Sequence, residues 1–180
     1  MKELTILPYW YGRSIFAGDI STWSSGWAIW HRNEMTSGAI QPPPTMELLW
    51  ERTRFLHREV KDLLRRTQNV DWHVFLEETI PKGFKMVAML SEARAAVVTA
   101  IPSIITLKDV SPSTWKGAYG CLWKNSKSDE EKEAAYIVAC NKWQRQFPVT
   151  MKGRNRSYDE TDAVAILTYA LEHVEYTEEV

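Results

Sequence analysis

The sequence predicts an α/β fold, a mixed sheet with helices on its faces. Three observations point there. The first quarter of the chain reads as strands joined by short turns, ending at the breaker Gln41-Pro42-Pro43-Pro44. Helical and strand periodicities then alternate as far as Leu107. Helical patterns close the chain. A hairpin-rich start followed by β-α alternation leaves sheet faces that only helices can cover.

The elements follow in order. Ser14–Asp19 (S-I-F-A-G-D) is a strand by its apolar, alternating content, and Gly26-Trp27-Ala28-Ile29-Trp30 is its hairpin partner across the polar turn Ser21–Ser25. A third strand is expected between His31 and Ile40. Thr45 is the expected cap of a long helix, in which Met46, Leu49, Trp50, Thr53, Leu56, Val60, Leu63 and Leu64 recur at helical spacing. Trp72–Ile80 is apolar enough for a central strand. Lys82-Gly83-Phe84-Lys85 reads as a loop, Met86–Ala100 as an Ala/Val-rich helix, and Ser103–Leu107 as a buried-type strand. Ser111-Pro112 starts a helix with a hydroxyl before a proline at the first helical position. Ser128-Asp129-Glu130-Glu131 opens another that runs to Trp143. Asp159 begins the last helix, whose apolar face is Ala163, Ile166, Leu167, Ala170, Leu171 and Val174.

A length of 180 residues suits one domain with a full core, here 1–180 with an N-terminal extension (1–13) and an acidic tail (174–180). No apolar run approaches the ~18–20 residues that span a bilayer. Met1-Lys2-Glu3-Leu4 lacks the architecture of a secretory signal, so a cytoplasmic protein is expected, with no membrane partner. Cys121 and Cys140 form neither a disulfide framework nor a zinc pattern and read as packing residues. The net charge is −1, but Lys142, Arg145, Lys152, Arg154 and Arg156 form a basic stretch free of acids, while Glu172, Glu175, Glu178 and Glu179 crowd the tail. Such a stretch can bind phosphates or be a solvated loop, and charge alone leaves both open.

The acids carry the chemical argument. Asp19 ends an apolar strand, where aspartate is depleted, although it is also a common turn former. Glu77 lies inside Val74-Phe75-Leu76-Glu77-Glu78, where an ionised carboxylate is costly unless it is paired or binds a metal. Its neighbour Glu78 points to the other face. Asp159 and Asp162 share one face at the start of the last helix, a place that also suits ordinary dipole compensation. The small residues after Asp162 (Ala163-Val164-Ala165) would let that helix press close to a sheet. Hard divalent cations want such oxygen ligands, and a pair of them relieves charge on both oxygens of a phosphodiester under attack. There is no GxxxxGKS loop, GxSxG elbow or HExxH motif. The four histidines (31, 57, 73, 173) are scattered and read as surface or packing residues. Most of the nine tryptophans belong to the core, although Trp115 and Trp123, beside Lys116 and Lys124, could stack on bases.

Taken in order, these segments resemble the RuvC-type Holliday-junction resolvases of the RNase H-like nucleases, from about Ile15 to His173. The first family strand and hairpin resemble Ile15–Thr22 with Gly26-Trp27-Ala28-Ile29. The strand ending in the family glutamate resembles Val74–Glu78. The family's Leu-Gly-Gln-Ala-Arg-Gly helix is matched by Leu90-Ser91-Glu92-Ala93-Arg94-Ala95, and its Pro-x-x-x-Lys stretch by Pro112–Lys116. The second family lysine aligns with Lys132. The closing Asp-x-x-Asp-Ala-Leu-Ala pattern resembles Asp159–Ala165.

The resemblance implies an RNase H-like mixed sheet with helices on both faces. It implies a homodimer that nicks opposing strands of a four-way DNA junction with Mg²⁺ or Mn²⁺, two ions per site. Asp19, Glu77, Asp159 and Asp162 would be the catalytic metal ligands. Lys116 and Lys132 would meet the phosphate backbone, although each could also be an exposed helix lysine. The helix around Met86–Ala100 would pack at the dimer interface. Where the family often has an aromatic three residues after its glutamate, this chain has Ile80. Phe84, with Lys82 and Lys85 in the same loop, is the expected DNA-contacting substitute. Cys121–Ser126 replaces a Gly-rich stretch, and about fourteen residues precede the first strand. The same acids would serve a nuclease acting on other branched DNA, flaps or RNA–DNA hybrids. A binding module without metal is the non-enzymatic alternative.

Overall fold

In a computed structural model, which describes residues 4–67, 70–78, 83–122, 128–152 and 155–175, one five-stranded sheet organises the chain. Its strands are β1 (Ser14–Asp19), β2 (Ser25–His31), β3 (Glu34–Ile40), β4 (Trp72–Glu77) and β5 (Ile104–Val110), in the spatial order β3-β2-β1-β4-β5. β1, β2 and β3 are antiparallel neighbours, whereas β4 and β5 run parallel to β1. The β2–β3 turn is closed by Arg32 and Asn33, both at positive φ (54° and 62°), the backbone that a tight two-residue hairpin requires. Thr150–Lys152 and Asn155–Ser157, of which only the backbone is described, form a separate small hairpin, β6–β7.

Among the described residues five α-helices cover the sheet: α1 (Leu49–Leu63), α2 (Phe84–Ala100), α3 (Pro112–Ala118), α4 (Ser128–Trp143) and α5 (Asp159–His173). Strand alternation divides the core in two. Phe16, Ile29, Val74 and Leu76 face α1 and α2, where Leu56, Val60, Ala93 and Val97 meet them. Ile15, Ala17, Ala28, Trp30 and Phe75 face the other side, against α5, with α3 and α4 outside it. α5 is buried almost all round, because it lies between the sheet and α4. The predicted apolar face of this helix is buried as expected. So are Thr161 and Thr168, and Thr168 meets its need by donating to the Val164 carbonyl at 2.6 Å. The residues before β1 pack on α5: the Leu7 amide donates to Leu171 O at 2.9 Å, and the Trp10 indole to Val174 O at 2.9 Å.

The structure corrects several sequence expectations. Thr45 is not the cap of the first helix, which begins at Leu49 with Leu48 as N-cap, after a turn closed by Met46 N to Pro43 O at 2.9 Å. β5 is not a buried strand but the sheet edge, leaving Ile105 and Leu107 half exposed. Gly83 and the two residues after it are not all loop, because α2 already starts at Phe84. Among the described residues, no helix is long and apolar enough to cross a membrane.

Candidate active site

The C-terminal ends of β1 and β4 lie side by side, with Gly18 opposite Leu76 in the parallel register, so Asp19 and Glu77 emerge next to each other. A hydrogen bond between the two carboxyls favours the protonated form of Asp19 and the ionised form of Glu77. Burial above all, then the charges of Glu77 and Asp159, push the Asp19 carboxyl well above the usual carboxylate range. Glu77 is raised as well, chiefly by burial and by the charge of Asp162.

α5 supplies the other two acids. Its N-terminus reaches the site because β2 has no side chain at Gly26, the residue paired with Asp19. A Cβ there would lie 1.6 Å from the Asp159 carbonyl oxygen and 2.9 Å from the Glu160 nitrogen, so only glycine permits this approach. Ser24, in the β1–β2 turn, donates its hydroxyl proton to Asp159 Oδ2. Asp162 is only 5% exposed, and its Oδ1 has no hydrogen-bond partner. Burial, then the charge of Asp19, raises its carboxyl from 3.8 to about 7. Asp19, Glu77, Asp159 and Asp162 thus share one electrostatic neighbourhood.

Lys116 and Lys132 share it too. The charge of Lys132 favours the ionised forms of Asp19 and Asp162, and that of Lys116 favours those of Glu77 and Asp162. Lys116 is not the exposed helix lysine of one sequence reading. Its side chain is 12% exposed, and its ammonium lies 3.6 Å from Glu131 Oε2. Trp115 cannot stack on a base, because it is fully buried; its indole N–H donates to Glu77 Oε1 at 3.2 Å. Arg94 fixes the backbone at the same strand end, donating to the Glu77 carbonyl at 3.0 Å and pairing with Asp109.

The remaining predicted contacts lie elsewhere. Phe84 is 89% exposed at the start of α2, with Lys85 exposed beside it, and Lys82 lies outside the described residues. The basic stretch after α4 is partly neutralised: Lys142 pairs with Glu172 at 2.6 Å, and Arg145 lies 3.5 Å from Glu160. Lys152, Arg154, Arg156, Trp123 and Lys124 have no described side chains. Sequence reasoning missed Ser24 and Gly26 and gave Trp115 a different role. A glycine directly across a hairpin from an acidic strand end was the one available signal, because glycine within a strand marks a close backbone approach.

Among the described residues, no three His, Cys, Asp or Glu side chains converge into a ready-made cation cage. The donor set nevertheless suits a hard divalent cation. It is all oxygen, it is crowded with like charge that raises three carboxyls, and it contains a buried carboxylate oxygen left without a partner.

The chain matches no protein-family model, and no curated protein sequence matches it. Its fold is that of RuvC. Thermus thermophilus RuvC in complex with a Holliday junction substrate superimposes with a TM-score of 0.60 at 19% identity, covering 88% of this chain and 93% of that one. A second structure of Thermus thermophilus RuvC gives 0.59 at 18% identity over the same shares. The RNase H-like mixed sheet expected from the sequence is therefore the observed fold.

Proposed function

We propose that this chain is a divalent-metal-dependent endonuclease that resolves four-way DNA junctions as a homodimer. The observation that carries the reading is the meeting of Asp19, Glu77, Asp159 and Asp162, from β1, β4 and α5, at one end of a RuvC-like sheet. Buried like-charged carboxyls raise one another's pKa and destabilise a fold, so their retention calls for a compensating cation. Mg²⁺ or Mn²⁺, in the pair expected from the sequence, would be held by these four side chains. The bound metal would polarise the scissile phosphate and generate the attacking hydroxide.

The protein's own groups prepare the rest. Trp115 and Arg94 hold Glu77 by its carboxylate and its carbonyl, so this acid meets a cation already oriented. Ser24 does the same for Asp159. Lys116 and Lys132 offset the acids' charge and would receive the phosphate backbone. Lys85 and Phe84 would contact the DNA arms, along with Lys82. The Met86–Ala100 part of α2, which exposes Met86 and Val87, would face a second copy of the chain. Sedimentation that found a monomer at working concentration would remove the dimer from the proposal.

The deciding experiment is strand cleavage of a synthetic four-way junction beside a linear duplex of the same sequence, with Mg²⁺ and with EDTA. Paired, metal-dependent nicks confined to the junction are expected. Metal-dependent cutting of other structures would keep the nuclease and change its substrate. An intact junction in both Mg²⁺ and Mn²⁺ would overturn the enzymatic reading.

A further inference from the structure

The turn between β1 and β2 holds a tryptophan that no packing requirement explains. Trp23 is 61% exposed, whereas Thr22 and Ser24 on either side are buried. Hydrogen bonds fix the turn tightly. Ser21 Oγ donates to Ser24 O at 2.6 Å, Ser25 Oγ donates to Ser21 O at 2.7 Å, and the Ser24 amide donates to Ser21 Oγ at 3.1 Å. One face of the indole is covered by the Arg52 guanidinium, whose Cζ lies 3.3 Å from the ring centroid. Arg52 is itself buried, at 6% exposure, and is anchored by a 2.7 Å hydrogen bond from Nε to the Met46 carbonyl. A buried arginine thus props an exposed aromatic ring on a rigid turn.

The ring opens on a groove of about 640 Å³ that runs along the first turns of α2, walled by Phe84, Lys85, Met86, Met89 and Leu90. The groove is largely apolar, with Ser21, Thr22 and Lys85 as its polar residues. Trp23 shares its turn with Ser24, the residue that holds Asp159. A flat π-surface backed by a guanidinium, beside a site for phosphate chemistry, matches the needs of an unpaired nucleobase: a stacking face and a nearby cation for the phosphate.

We propose that Trp23, propped by Arg52, is a stacking platform for one unpaired nucleobase of the strand presented to Asp19, Glu77, Asp159 and Asp162. This rests on the nuclease reading above and adds a preference for DNA with an unpaired or unstacked base next to the cut. The ligand is a base in single-stranded context, because a base inside a duplex offers no free face to the indole.

The test uses the full-length protein in EDTA, so that no cutting occurs. The probes are four-way junctions and bulged duplexes carrying 2-aminopurine at successive positions around the branch, with a fully paired duplex as control. Wild-type protein should quench the 2-aminopurine at one or two positions next to the nick site. Trp23→Leu should lose that quenching and bind bulged DNA about 5- to 150-fold more weakly, as expected for one lost base–aromatic stack, with paired-duplex binding unchanged. Trp23→Phe, which keeps a ring, should retain part of both signals and controls for folding. Wild-type protein that binds and cuts junctions without quenching any position would overturn the platform alone. The same holds if Trp23→Leu keeps full quenching but sediments as a smaller species, which would assign the ring to contact between protein copies. If wild-type protein binds neither junction nor bulge, the platform and the nuclease reading fall together.

Discussion

Replacing Asp162 by asparagine tests whether these acids are assembled for a cation. The Asp162 carboxyl is buried and displaced from 3.8 to about 7, first by burial and then by Asp19. Its pKa is raised on folding, so between those two values the folded chain keeps a proton that the unfolded chain has released. The metal-free protein should therefore lose stability as pH rises from about 4 to about 7, and the loss should persist above 7. A tenfold shift in proton affinity corresponds to ~1.4 kcal/mol, so this displacement is worth roughly 4 kcal/mol at pH 8. Asparagine cannot ionise. In EDTA at pH 8, Asp162→Asn should be the more stable protein, with a melting temperature higher by on the order of 10 °C for a chain of this size. Near pH 4 the two proteins should melt together. Magnesium should narrow that gap by stabilising the wild type, by about 2.7 kcal/mol at a hundred times its Kd, while doing less for the variant. Cleavage should be abolished in Asp162→Asn and junction binding largely kept, because the basic groups remain. A variant no more stable than wild type at pH 8 without metal, or one that cuts normally, would refute the reasoning.

Three other changes probe the supports of the site. Gly26→Ala would place a methyl 1.6 Å from the Asp159 carbonyl oxygen, so α5 must retreat. A loss of ~1–3 kcal/mol in urea unfolding is expected from overpacking. A drop in cleavage of about 100-fold is expected if the acids move by on the order of 1 Å. Trp115→Phe keeps the ring and removes the N–H that lowers the Glu77 carboxyl, so the acid limb of the pH–rate profile should move to higher pH, and an unmoved limb would sink the assignment. Lys116→Ala should weaken junction binding and flatten its logarithmic salt dependence by about one counterion, read by titration at several salt concentrations. An unchanged slope would mean that Lys116 serves only the acids and Glu131.

Much of the fold was legible because periodicity and turn chemistry agreed. The alternation in Ser14–Asp19 and Gly26–Trp30 matched a hairpin in which Ala17 pairs with Ala28. Errors arose where tertiary position overrides local pattern. Ile104, Ile105 and Leu107 look central by composition, yet β5 has a neighbour on one side only. Thr45 is a good helix cap by type, but the three prolines before it and the turn at Pro43–Met46 delay the helix to Leu49. The basic stretch looked free for phosphates because Glu172 and Glu160 are distant in sequence from Lys142 and Arg145, although α5 brings them into contact.

The site divides along the same line. An acid is visible in sequence when its local setting is costly, as for Glu77 in an apolar strand, whereas an acid at a helix start, such as Asp162, looks ordinary until the helix proves buried. The supports of those acids carry no such mark. Ser24 reads as a turn serine, and Trp115 as one tryptophan among nine. Their roles arise only when α5 descends onto β2 and α3 packs beside β4. Gly26 makes the first of these possible, and Trp115 becomes a hydrogen-bond donor through the second. The identities of the acids are thus written locally, but their mutual approach depends on helix placement. Substitutions that leave all four acids intact but move α5, Gly26→Ala foremost, should therefore still cost cutting about 100-fold, although no carboxylate is lost.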